Sequence, residues 1–98
     1  MNDQITVIAT LHAQAGKEEA LLARLQQMVE ETIKEAGCLR YDLQRAHDDP
    51  AEFAFVEYWH DAEALAEHDA SVHMAALKRD LPPLLDRAPV IRKFTPAA

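Results

Sequence analysis

The sequence predicts an α+β fold in which strand, helix, strand, strand, helix and strand follow in order. Three observations predict it. Apolar and polar side chains alternate with a period of two in four separate segments, a long stretch of helical period follows the first of them, and a second helical stretch lies before the last. That order is the split βαβ unit of the ferredoxin-like fold, a four-stranded antiparallel sheet with the helices on one face.

Each element has its own local signal. From Gln4 to Ala13, Ile5, Val7, Ala9 and Leu11 alternate with Thr6, Ile8, Thr10 and His12, and Gly16 ends the strand. From Lys17 to Ala36, the residues Leu21, Leu22, Leu25, Met28, Val29, Ile33 and Ala36 recur at helical spacing. Glu18 and Glu19 suit the partial positive charge of the helix start, and Gly37 is expected to close its end in the left-handed conformation. Leu39, Tyr41 and Leu43 form one alternating strand, Asp48-Asp49-Pro50 supplies a turn, and Phe53, Phe55, Glu57 and Trp59 form the returning strand of a hairpin. Asp61 is placed to cap a short helix reaching about Glu67, and Ser71 to cap a second that runs to Leu81, where Pro82-Pro83 denies continuation. A break is therefore expected near Asp69-Ala70, and Pro89 to Phe94 reads as the closing strand.

The 98 residues suit a single domain, 1–98, with one core between two layers. No apolar run is long enough to cross a bilayer, and the first residues lack the basic and apolar segments of an export signal, so a soluble, cytoplasmic protein is expected. One cysteine, Cys38, forms no internal disulfide and fits a reducing compartment; it reads as a small buried residue. A net charge of -7, with basic residues scattered, disfavours nucleic acid and anionic membranes as partners. The first and third strands carry large apolar groups on both faces, Val7 and Leu11 against Ile8, Phe53 and Phe55 against Val56 and Tyr58. Helices cover one face only, so a second copy is expected on the other, giving a two-fold homodimer.

Chemically capable side chains concentrate where the third strand meets the next helix. Glu57-Tyr58-Trp59-His60-Asp61, then His68 and His73, hold the single tryptophan and three of the five histidines. That concentration fits a pocket wall and, equally, a core tryptophan flanked by histidines that cap helices. No metal motif is present: His68 and His73 are five apart across the expected break, without the one-turn offset that puts two ligands on one helix face. Asp48, Asp49 and Glu52 read as a solvated hairpin tip, and no phosphate-binding loop or nucleophile elbow occurs.

The run Glu57-Tyr58-Trp59-His60-Asp61-Ala62-Glu63-Ala64-Leu65, with His68 and Ser71-Val72-His73-Met74, resembles the central motif of the antibiotic biosynthesis monooxygenase (ABM) family, including its quinol monooxygenase branch. Thr6-Val7-Ile8-Ala9, Ala15-Gly16-Lys17 and Ala36-Gly37-Cys38-Leu39-Arg40-Tyr41 resemble other parts of the same family, so the similarity spans nearly the whole chain. It implies a dimeric α+β barrel that oxygenates electron-rich aromatics such as quinols with dioxygen, without metal, flavin or haem.

Such chemistry needs an apolar slot and a base. Trp59 is expected to stack on a planar ring, one or both of His68 and His73 to take a phenolic proton, and Tyr41 to hydrogen-bond the substrate. Glu57 shares a strand face with Phe55 and Trp59, where an ionised carboxylate is costly unless paired; a salt bridge or backbone bond is its first expected role and general base its second. His68 equally fits an interior residue bonding the broken backbone, and His73 a contact with the capped helix end or a partner chain. His12, His47 and His60 read as surface residues. Some members rely on an asparagine beside the tryptophan, whereas the only asparagine here is Asn2, which argues against haem degradation. The other functional class consistent with these residues is a noncatalytic dimeric module that binds a small aromatic molecule.

Overall fold

The computed structural model describes residues 3–98; Met1 and Asn2 lie outside them. The elements are β1 (Ile5–His12), α1 (Glu18–Thr32), β2 (Cys38–Arg45), β3 (Glu52–Trp59), α2 (Ala62–Asp69), α3 (Val72–Asp80) and β4 (Val90–Phe94), with a short 3-10 turn at Pro82–Leu84. The strands make one antiparallel sheet in the order β2-β3-β1-β4, which is the ferredoxin-like arrangement the alternation predicts.

Strand register sorts the side chains into two faces. Ile5 opposes Trp59, Val7 opposes Glu57, Ala9 opposes Phe55 and Leu11 opposes Phe53, and on the other side of β3 Tyr41 opposes Glu57. Directly opposed residues share a face, so this set turns together toward the helices. Phe53, Trp59, Leu21, Leu25 and Met28 are fully buried between the layers. The other face carries Ile8, Val90 and Phe94, which are 38%, 56% and 39% exposed, with Val56 and Tyr58 half-buried beside them.

Asp61 and Ser71 cap as expected: the Asp61 carboxylate accepts from the backbone N–H of Ala64 at 2.8 Å and the Ser71 hydroxyl from that of Met74 at 3.1 Å. Ser71 Oγ also donates to the carbonyl of His68 at 2.7 Å, which satisfies an end of α2 while starting α3.

Two local expectations are corrected. The first helix stops at Thr32 instead of reaching Ala36, because its last turn tightens: the N–H groups of Lys34 and Glu35 bond back only three residues, to Glu31 and Thr32. Gly37 is not left-handed; among the described residues Gly16, at φ 85°, is the glycine that is. Gly37 serves close approach, since a Cβ built there would overlap the Ala64 methyl of α2.

Candidate functional site

A cavity of about 310 Å³ lies between the helix-facing side of the sheet and α2–α3. Val7, Ala9, Leu11, Phe55, Leu65 and Leu77 make most of its wall, Tyr41, Glu57 and His68 supply its polar atoms, and Asp69, Lys78 and Lys93 stand among its lining as well. A mostly apolar hollow with a few convergent polar groups is the usual form of a small-molecule site. A broader depression between α1 and β2 is shallower, more open and lined by none of the histidines.

Glu57 enters the cavity because β3 alternates: its neighbours on that face, Phe55 and Trp59, are core residues, and the carboxyl is 5% exposed. Its Oε1 accepts from the indole N–H of Trp59 at 2.9 Å. Burial drives its pKa from an ordinary 4.5 up to about 7; the Trp59 bond opposes the rise, and the carboxylates of Asp69 and Glu35 add to it. The first expected role, a salt bridge or backbone bond, is corrected here: the recorded partner is an indole N–H, which satisfies one oxygen without neutralising the charge.

The expected stacking of Trp59 on a ligand is also corrected. The indole is fully buried, its ring centroid lies 4.4 Å from that of His68 at an interplanar angle of 33°, and it is not part of the cavity wall. It stands behind Glu57 and His68 as their support. Tyr41 does line the cavity, stacked on Phe55 at 4.6 Å and edge-on to His68 at 5.7 Å; burial pushes its phenol pKa upward, so it keeps its proton as a donor.

His68 is 1% exposed at the end of α2, and its Nδ1 lies 2.6 Å from Glu35 Oε2. The other nitrogen, Nε2, is buried without a partner among the described residues. His73, in the first turn of α3, places Nε2 2.8 Å from the same Glu35 oxygen. It does not line the cavity and faces a shallow depression between α1 and α3. Glu35 thus gathers both histidines. It lies in the turn that follows the early end of α1, and its distance in sequence, 33 positions from His68, left no linear signal. Cys38 nearby is not activated: burial and the Glu35 carboxylate push its thiol up to about 11. His12 is no surface bystander, for it bridges Asp49 and Asp86 at 2.9 Å each and ties the β2–β3 turn to the segment before β4.

The antibiotic biosynthesis monooxygenase family matches residues 4–80, most of the chain. The chain belongs to that family. Solved structures similar to it include PA3566 from Pseudomonas aeruginosa, 35% identical over 100% of this chain and 98% of that one, with a TM-score of 0.92. Rv0793 from Mycobacterium tuberculosis is 29% identical over 97% of this chain and 96% of its own, at a TM-score of 0.91. A structure named antibiotic biosynthesis monooxygenase is 28% identical over 96% and 99%, at 0.90. No curated protein matches the chain. ABM membership accounts for the ferredoxin-like sheet, since the family is a dimeric α+β barrel, and it makes this chain a monooxygenase-like or small-molecule-binding module. Among the described residues, no helix is long and apolar enough to cross a membrane.

Proposed function

We propose that this ABM protein is a monooxygenase of the quinol type, which oxidises a small phenol with dioxygen in the cavity walled by Tyr41, Glu57 and His68. The observation that carries the reading is that His68, whose Nε2 is buried without a partner among the described residues, lies on the wall of a mostly apolar hollow. With Nδ1–H donated to Glu35, the neutral ring presents Nε2 as a lone pair, the form that accepts a phenolic proton.

Dioxygen is a triplet and reacts slowly with closed-shell molecules, so the substrate itself must supply the electrons. Removing the phenolic proton to His68 Nε2 makes it a phenolate that donates readily. Oxygen joins a ring carbon as a hydroperoxide, the O–O bond then breaks, one atom stays as the new carbonyl and the other leaves as water. A quinol thereby becomes a hydroxyquinone and supplies all four electrons, with no further reductant. Tyr41 and the carboxyl of Glu57, both in the cavity lining, would hold the substrate oxygens against its mostly apolar wall. His73 secures Glu35 and thereby the His68 tautomer. A second copy on the Ile8 and Phe94 face completes the working unit, a homodimer of the cytoplasm.

The test is oxygen uptake by metal-stripped protein over a panel of quinols. Uptake above the uncatalysed control is expected, with a loss of about a hundredfold or more in His68→Ala at unchanged dimer content. Uptake no faster than the control across the panel rejects the reading. One observation favours a second function, noncatalytic binding of an aromatic ligand: no asparagine or glutamine lines the cavity among the described residues, so no amide holds the oxygen. In that case ligand quenches Trp59 fluorescence saturably and is recovered unchanged.

A further inference from the structure

We infer that Glu35, His68 and His73 form a binding site for a divalent transition-metal ion of the zinc type. Glu35 Oε2 stands 2.6 Å from Nδ1 of His68 and 2.8 Å from Nε2 of His73, and the three candidate ligand atoms lie within 4.8 Å of one another. Two imidazole nitrogens and one carboxylate oxygen are the donor set that zinc and its neighbours bind with an open fourth position.

Charge supports the assignment independently of ligand identity. The only ion pairs of Glu35 among the described residues are with these two histidines, which are cationic only when protonated. A carboxylate 18% exposed therefore has no permanent cation beside it, in a region where Asp69 and Glu35 both act on Glu57 as negative charges. A divalent ion balances that charge and replaces the two hydrogen bonds with coordination bonds. Tetrahedral zinc with bonds of about 2.1 Å spaces its ligand atoms roughly 3.4 Å apart, longer than the two hydrogen bonds present and inside the 4.8 Å that bounds the three atoms.

The ligands come from three elements: the turn after α1, the last turn of α2 and the first turn of α3. An ion would pin together the α1–α2–α3 junction that backs the cavity. His73 is reached from a depression lined by Glu30 and Glu31 together with Arg24, which gives an ion a polar way in. This inference does not rest on the oxygenase reading. It has a consequence for it, because Nδ1 ligation shifts the His68 proton to Nε2 and turns the proposed base into a donor.

The experiment is titration of untagged, metal-stripped protein with Zn²⁺ by calorimetry, and with Co²⁺ by visible absorption and by quenching of Trp59, whose ring lies 4.4 Å from that of His68. One ion per chain is expected at micromolar Kd or tighter. Glu35→Gln and His73→Ala should each weaken binding by about tenfold or more, while His12→Ala leaves it unchanged. If either variant fails to fold, ¹⁵N-histidine spectra of the wild-type protein decide the matter: Zn²⁺ should shift His68 and His73 and spare His12, His47 and His60. No saturable binding below millimolar Zn²⁺, or binding abolished by His12→Ala, overturns the inference.

Discussion

Glu57→Gln is the perturbation whose outcome follows most directly from the structure. The native carboxyl has its pKa raised from 4.5 to about 7 by burial, while its Oε1 accepts from Trp59. At about 1.4 kcal/mol per pH unit, holding this group ionised in the fold costs about 3 kcal/mol. Because the raised value belongs to an acid, the native state binds a proton that the unfolded chain has already released between pH 4.5 and about 7. Stability therefore falls as pH rises through that window and levels off above it. Glutamine preserves the carbonyl acceptor for the indole N–H and removes the titration. In urea unfolding at fixed protein concentration, the stability of Glu57→Gln relative to wild type should increase by up to about 3 kcal/mol between pH 4.5 and 8. Trp59, the single tryptophan, reports the same event: the part of its emission change that follows Glu57 near pH 7 in wild type should be lost in the variant. The environment of Glu57 includes the carboxylates of Asp69 and Glu35 and, along the cavity, His68, Lys78 and Lys93, so the comparison is made against Glu57→Gln and not against absolute stability. A stability difference that stays flat over this range refutes the burial argument.

Three other outcomes are expected. Glu35→Gln should lower kcat for oxygen uptake by about a hundredfold while leaving KM little changed, since Glu35 positions His68 without lining the cavity; equal loss in both constants contradicts a positioning role. Gly37→Ala forces a methyl into Ala64 and should cost about 1–3 kcal/mol in thermal or urea unfolding, and an unchanged midpoint contradicts the close-approach role. On the proposed homodimer, Ile8→Lys places a charge in the middle of the open sheet face beside Val56, so sedimentation should find wild type dimeric and the variant monomeric; a monomeric wild type, or a dimer that persists in the variant, contradicts pairing through this face.

Local periodicity made most of the fold legible. The alternation in β1 and β3, the capping residues Asp61 and Ser71, and the prolines after α3 all act through neighbours a few positions away, and each appears where expected. The end of α1 was not legible, because Ile33 and Ala36 continue the apolar spacing while the backbone tightens after Glu31. Alternation also put Glu57 and Trp59 on one face with Phe55, but face membership does not say which of them meets the cavity.

By itself, then, the sequence determined the element order and the two faces of the sheet, because these follow from periods of two and 3.6 and from short-range capping. Only the tertiary structure decided that Trp59 lies behind the pocket, that Glu57 is held by an indole, and that Glu35 joins His68 to His73. Those relations depend on how α1, α2 and α3 pack over the sheet. Chain distance carries no information about contacts made across 33 and 38 residues.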